Sequence, residues 1–293
     1  MTNSNLLHTL IHKRHVWQAS STSLSVNTKS TQQPLQRPLS LSVPEIDNAL
    51  PDGGLRAGAI HEFFGIDAFI PTPPLTIPTL IAMRASQDLL ESYQQNQWHN
   101  DSKDTPCLPV TVWIGRPCWP TPQFLATTQL NEMMLSASQN KTSLLNNSLF
   151  IDPPSDKLTL WAIETALSSC SVSVVIAACP SLSRTTSQRL ANAAKKFGTT
   201  ALLLRSHKEK LTPSYALSRW EIAPQQTSHD TPHWELRLQR LKGSGLHDIT
   251  WQIGLQGYDF FNPSFPSLTL VQKQKRTSIN TPASVTTKLL RHG

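Results

Sequence analysis

Residues 50–65, Leu-Pro-Asp-Gly-Gly-Leu-Arg-Ala-Gly-Ala-Ile-His-Glu-Phe-Phe-Gly, hold the densest set of groups that chemistry would use. A tight turn, a short apolar strand, a glycine and then a helical pattern make the framework of a phosphate-binding loop. In such a loop, G-x-x-x-x-G-K-[ST] hangs between strand and helix. Backbone N–H groups cradle phosphates, the lysine reaches the terminal ones and the hydroxyl holds Mg²⁺. Here the frame is present without its contents. Counting from Gly65, the residues Ile66, Asp67, Ala68 and Phe69 fill the variable places. Ile70 then stands where the second glycine belongs and Pro71 where the lysine belongs, and only Thr72 fits. A β-branched Ile resists the positive φ that Gly supplies, and Pro71 removes both a charge and a backbone donor. Asp67 repels phosphate. The sequence therefore predicts poor triphosphate binding or none, and no cofactor.

Other chemistries find less support. No G-x-S-x-G occurs, and Gly243-Ser244-Gly245 belongs to a turn after a strand, not to a strand-to-helix elbow, so a serine hydrolase is disfavoured. His8, His12 and His15 share one face of a helical pattern. With no acidic or Cys partner nearby, an ordinary helix face is favoured over a metal site. Cys107, Cys118, Cys170 and Cys179 lack C-x-x-C spacing, so neither zinc nor a disulfide framework is indicated. His61 stands beside Glu62, but neighbouring strand residues point to opposite faces, which makes a structural histidine the better reading.

The elements that must position these residues follow from composition and pattern. A chain of 293 residues can bury a sizeable core, and one main domain is expected. Charged residues make up only 15% and Pro is abundant at 22, which points to extensive loop or tail. The net charge of +7 bears on partners, not on fold. No apolar run reaches the roughly 20 residues of a spanning helix, and no secretory signal pattern opens the chain, so a cytoplasmic protein with no membrane contact is expected.

In chain order, residues 1–40 are expected to hold a short helix, Asn5 to Trp17, and a disordered Ser/Thr/Gln/Pro linker. The main domain spans 41–256. It opens with a short helix from Val43 to Leu50 and a strand from Ala59 to Phe64. A helix capped by Thr76 follows, with Ile77, Leu80, Ile81, Ala85 and Leu89 on one face. Strands are expected at Leu108–Ile114, Leu149–Ile151, Val172–Ala178 and Thr199–Leu204. Between them lie helices from Lys157 to Ser168, with Asp156 as cap, and from Ser183 to Phe197, stopped by Gly198. This alternation predicts an α/β domain with a largely parallel sheet flanked by helices. Leu217–Ile222, Trp234–Leu241 and Ile249–Ile253 then predict antiparallel strands toward the C-terminus. Residues 257–293 are expected to form a disordered tail carrying Lys273, Lys275, Arg276, Lys288 and Arg291. Trp113, Trp161, Trp220, Trp234 and Trp251 fall in strand or helix patterns and are expected in the core or on a sheet face. Trp17 and Trp119 are the expected partner-surface residues.

The ordered set Ile46-Asp47, Leu50-Pro51-Asp52-Gly53-Gly54-Leu55 and Gly58 to Gly65 resembles the start of a RecA-like core. Trp161-Ala162-Ile163-Glu164, then Gln188 to Ala194, Ser218-Arg219-Trp220 and Arg240-Leu241-Lys242-Gly243 follow in the same order. Together they resemble the ImuA family, RecA-related accessory proteins of bacterial mutagenesis cassettes, and more distantly the division inhibitor SulA. The resemblance covers roughly Leu41 to Leu255. In RecA-type ATPases the strand matching Val172–Ala178 ends in a metal-holding Asp. Ala178 stands at that place, and a methyl cannot ligate a hard cation. Gly115-Arg116-Pro117 likewise stands where a catalytic Glu would follow Leu108–Ile114. The resemblance therefore implies a non-enzymatic descendant with a degenerate loop, marked by Gly65, Ile70, Pro71, Thr72 and Ala178.

In RecA the loops flanking the corresponding helix and strand touch DNA. The matching stretches, Cys179 to Thr185 and Ser206 to Tyr215, nominate Arg184, Arg189, Arg205, Lys208 and Lys210 as phosphate contacts and Tyr215 as a stacking ring. The function implied is that of a RecA-like accessory in damage-induced translesion synthesis. It would act with an ImuB-like, Y-family-related polymerase protein, an error-prone DNA polymerase, RecA and DNA. The alternatives are a SulA-like inhibitor of FtsZ and a RecA-like ATPase with an atypical phosphate loop.

Overall fold

Apolar strand runs and amphipathic helices assemble around one ten-stranded sheet in the computed structural model, which describes residues 16–18, 37–65, 75–97, 110–120, 125, 145, 147–169, 171–226, 231–256 and 267–274. The strands are β1 (Val16–Gln18), β2 (Ile60–Gly65), β3 (Val110–Ile114), β4 (Ser148–Ile151), β5 (Val172–Ala178), β6 (Thr200–Arg205), β7 (Ser218–Gln225), β8 (His233–Leu241), β9 (Ile249–Gln256) and β10 (Ser267–Gln274). Among the described residues the helices are α1 (Pro44–Asp47), α2 (Thr76–Gln97), α3 (Asp156–Leu167) and α4 (Arg184–Phe197). Strand order is β1-β4-β3-β5-β6-β2-β7-β8-β9-β10. Pairings from β4 across to β7 are parallel, while β1 on one side and β8 to β10 on the other add antiparallel strands. The α/β class expected from the sequence is thus the one found. No helix among the described residues is long and apolar enough to cross a membrane.

Side-chain alternation divides the interior into two cores. Leu202, Leu204, Ile176 and Phe63 join Trp220, Trp251 and Ile253 on one face, covered by α2 residues Ile77, Ile81 and Met83 and by Leu39, Leu41, Ile46 and Leu55. Ile60, Val112, Val175 and Leu203 face the other way, against Ile163 and Leu167 of α3 and Leu190 and Ala194 of α4. Ser183 caps α4 by accepting from the Thr186 N–H at 3.1 Å. Gly198 ends it at φ 75°, in the left-handed region that Gly occupies without strain.

Several boundaries differ from expectation. Val16 and Trp17 lie in β1, not in a helix, because β-branched and aromatic residues suit the exposed edge that β4 offers. Residues 1–15, with His8, His12 and His15, are outside the described set. The expected linker ends before Leu39, which is buried and exchanges both backbone bonds with Leu55 (2.7 and 2.8 Å). Within the expected tail, Ser267–Gln274 forms β10, whose alternation puts Leu268 into the core. β7 is not a purely antiparallel strand: it pairs parallel with β2 and antiparallel with β8. Helix α1 covers only Pro44–Asp47, and Ser155, not Asp156, caps α3. Trp161 is 39% exposed on α3 instead of buried, whereas Trp119 packs edge-on against Phe150.

Candidate nucleic-acid interface

Parallel alignment brings Gly65, Ile114, Ala178 and Arg205, the last residues of β2, β3, β5 and β6, to one edge of the sheet. Of the degenerate-loop residues, Gly65 and Ala178 are described, while Ile70, Pro71 and Thr72 lie outside the described residues. The Gly65 carbonyl accepts from His207 Nδ1–H at 2.8 Å. Beside Ala178 the chain turns at Gly115, φ 87°, where a Cβ would stand 3.2 Å from the Ala178 methyl. The short helix that follows, Arg116–Cys118, seats the buried Cys118 thiol against strand-end carbonyls, with Sγ 3.1 Å from Ile114 O and 3.0 Å from Gly115 O. Burial pushes the Cys118 thiol up to about 12, so it stays protonated and apolar in character. Side chains of this kind close a strand edge; they present no oxygen to a metal.

Behind that edge lies a buried ionic cluster. Glu62 on β2 is fully buried and accepts from Arg205 Nη1 at 2.7 Å, Arg219 Nε at 2.9 Å and Ser214 Oγ at 3.0 Å. Arg205 also grips Glu209 through its remaining nitrogens. Farther along β7, Glu221 accepts from Lys210 Nζ at 2.8 Å and Gln239 Nε2 at 3.1 Å. Burial opposes ionisation of Glu221, but the hydrogen bonds from Lys210 and Gln239 outweigh it and hold its carboxyl below the ordinary range. His61, one residue from Glu62, faces the opposite side. Its Nε2–H donates to Arg56 O at 3.0 Å, so Nδ1 accepts from the Ser218 hydroxyl at 2.6 Å. It is the structural histidine that strand alternation predicts.

The nominated DNA contacts consequently separate. Arg205 is buried in the Glu62 cluster and faces no solvent, a correction to its assignment as a phosphate contact. Lys210, half-buried, is turned onto Glu221, and Arg189, on the exposed face of α4, pairs with Glu164 of α3, so both already have an acid partner. Lys208 is exposed and pairs with no carboxylate among the described residues. Arg184 and Tyr215 are brought together, with the guanidinium carbon 5.9 Å from the ring centroid. Two residues not nominated from the sequence complete the group: Lys242 Nζ lies 5.2 Å from the same centroid, and Arg240 donates to Ser214 O at 3.3 Å. Cations therefore occupy the ring that was expected to stack a base. Arg184, Pro213, Ser214, Tyr215, Arg240 and Lys242 line an open cavity of about 340 Å³.

Local structure fixes this cavity. The buried Ser187, one turn into α4, accepts from the Tyr215 N–H at 2.8 Å, and Ser214 is tied to Glu62. Ala216 is buried against the α4 core, and Leu217 N–H donates to Ile60 O at 2.8 Å as β7 begins. Lys242 is held by its own N–H on Leu217 O at 2.7 Å, where β8 leaves the sheet. The sequence signal for Arg240 and Lys242 was the Arg-Leu-Lys-Gly run before a turn, which only the β7–β8 pairing carries to Tyr215. No protein-family model and no curated protein matches the chain.

Proposed function

We propose that the chain is a non-catalytic, RecA-related accessory protein of damage-induced translesion synthesis, in the manner of the ImuA proteins it resembles. It works in the cytoplasm by assembly. An ImuB-like, Y-family-related polymerase protein and an error-prone DNA polymerase are its partners, RecA is a further contact, and DNA lies along its basic surface. The observation that carries the reading is the strand edge where RecA-type enzymes hold Mg²⁺. Ala178 offers a methyl there, Cys118 and Gly115 pack the neighbouring strand end, and the carboxylate on β2, Glu62, is committed to two arginines. Phosphoryl transfer depends on cations placed to neutralise the transferred group, and each of these substitutions works against that.

Affinity capture with the full chain from damage-treated cells tests the proposal. Co-purification of a lesion-bypass polymerase supports it, and capture of FtsZ instead would favour the SulA-like alternative. Mg²⁺-dependent ATP turnover by pure protein, lost in Thr72→Ala, would overturn the non-catalytic reading.

A further inference from the structure

We infer that the cavity around Tyr215 is a clamp for the phosphodiester backbone of a nucleic-acid strand, formed by Arg184, Arg240 and Lys242. The inference deepens the DNA contact in the functional reading above and rests on it. The charge balance is the first argument. Several basic residues on this side of the sheet are matched by acids: Arg205 and Arg219 by Glu62, Lys210 by Glu221, Arg189 by Glu164 and Arg237 by Asp248. Around Tyr215, three exposed cations converge with no carboxylate partner among the described residues. Like charges held this close repel one another, and a bound anion relieves that repulsion.

Geometry is the second argument. Arg184 and Lys242 rest on the Tyr215 ring, which carries a negative face, and Arg240 spends donors on the carbonyls of Ser214 and Ala216 while others remain available. The three head groups therefore stay beside the cavity instead of sweeping through solvent, and little side-chain freedom is left to lose when a phosphate enters. The platform under them is rigid, because Tyr215 is pinned to Ser187 and its neighbour Ser214 to the buried Glu62. Size is the third argument. About 340 Å³ falls at the small end of ligand sites and, being open, suits one phosphate of a continuous strand passing across it. Charged groups of this kind fix a backbone without reading its sequence.

Fluorescence anisotropy of the full chain with a labelled oligothymidylate tests the clamp, with inorganic phosphate and thymidine monophosphate as competitors. Wild-type binding is expected to weaken steeply with salt. Arg240→Ala/Lys242→Ala, both at exposed positions, is expected to weaken it on the order of tenfold and to lower the log–log salt slope by about 1.4, about 0.7 for each contact to a single strand. Tyr215→Phe keeps the ring under the cations and preserves binding, whereas Tyr215→Ala loses it. Lys195→Ala, on the last turn of α4 away from the cavity, is the control and leaves binding unchanged. Unchanged affinity and slope in the double variant would overturn the clamp while leaving DNA contact elsewhere intact. A wild type that binds no oligonucleotide would overturn the clamp and the DNA contact together, without touching polymerase capture. Competition by monophosphate as effective as by the strand would assign the cavity to a free nucleotide and overturn the backbone assignment.

Discussion

Glu62→Gln is the sharpest test of the buried cluster. The substitution keeps the volume and removes the charge beneath two guanidinium groups. Arg205 and Arg219 have side chains 0% and 9% exposed, and Glu62 supplies each with a bond under 3 Å. Gln retains one acceptor oxygen, so one arginine keeps a neutral hydrogen bond while the other meets an NH₂ that can only donate. Arg205 still has Glu209, but Arg219 is left with the Glu209 carbonyl at 3.3 Å. Leaving a buried charge without its partner costs about 3–5 kcal/mol. With a urea m-value near the upper end of the usual range, ~3 kcal/mol/M, the midpoint should fall by about 1–1.7 M. Urea unfolding followed by tryptophan fluorescence reads this directly, since Trp220 sits on the strand that carries Arg219. The companion variant Glu62→Met/Arg205→Met/Arg219→Met removes the charges together and should regain much of the loss, because Glu209 is near enough to the surface to hydrate. A midpoint shift below about 0.2 M for Glu62→Gln, which is less than ~0.6 kcal/mol, would refute a desolvated pair here.

His61 is held neutral by burial, which lowers it from 6.5 to about 4, against the bond to Arg56 O that works the other way. Its contribution, on the order of 3 kcal/mol, is complete above 6.5 and is lost as pH falls toward 4; urea midpoints should decline through that window and flatten in His61→Gln. Cys118 and Cys179 are buried and pushed up to about 12 by that burial, so in a Cys107→Ser/Cys170→Ser background native protein should show no fast reaction with a thiol reagent and full reaction once unfolded. Gly198→Ala forces a side chain into φ 75° and should cost about 1 kcal/mol in the same urea assay, with no effect on oligonucleotide binding.

Much of the fold was legible because local pattern and tertiary role agree. The run Val172 to Ala178 is apolar almost throughout since its strand has neighbours on both sides and a core on both faces. Helix α4 was legible from the helical pattern of Ser183 to Phe197 and its terminal Gly198, while the structure makes Ser183 the cap and not the first turn. The strands at the two ends were missed for the opposite reason. β1 is three residues in a polar context, and β10 follows a Pro-rich stretch, so each takes its conformation from the edge it pairs with. The degenerate loop was legible as a pattern of residue types, and its central residues lie outside those described.

The basic segment near Arg205 shows why counting charge along the chain misplaces a site. From Arg184 to Lys210 the cations outnumber a single Glu, and the local reading is an anion-binding surface. Yet the acid that neutralises Arg205 lies 143 residues earlier, and the one beneath Lys210 lies on β7, 11 residues later. Parallel pairing of β2 with β7 sets Glu62 directly across from Arg219. The opposite charges therefore meet on one face without any sequence proximity. An antiparallel assignment for β7 hides that register, and with it the pairing of Glu62 with Arg219. The antiparallel pairing of β8 with β7 then delivers Arg240 and Lys242 to Tyr215. The site was therefore misplaced for reasons outside any local window: acids on β2, β7 and α3 neutralise Arg205, Lys210 and Arg189, and the β7–β8 pairing adds two unneutralised cations to the group.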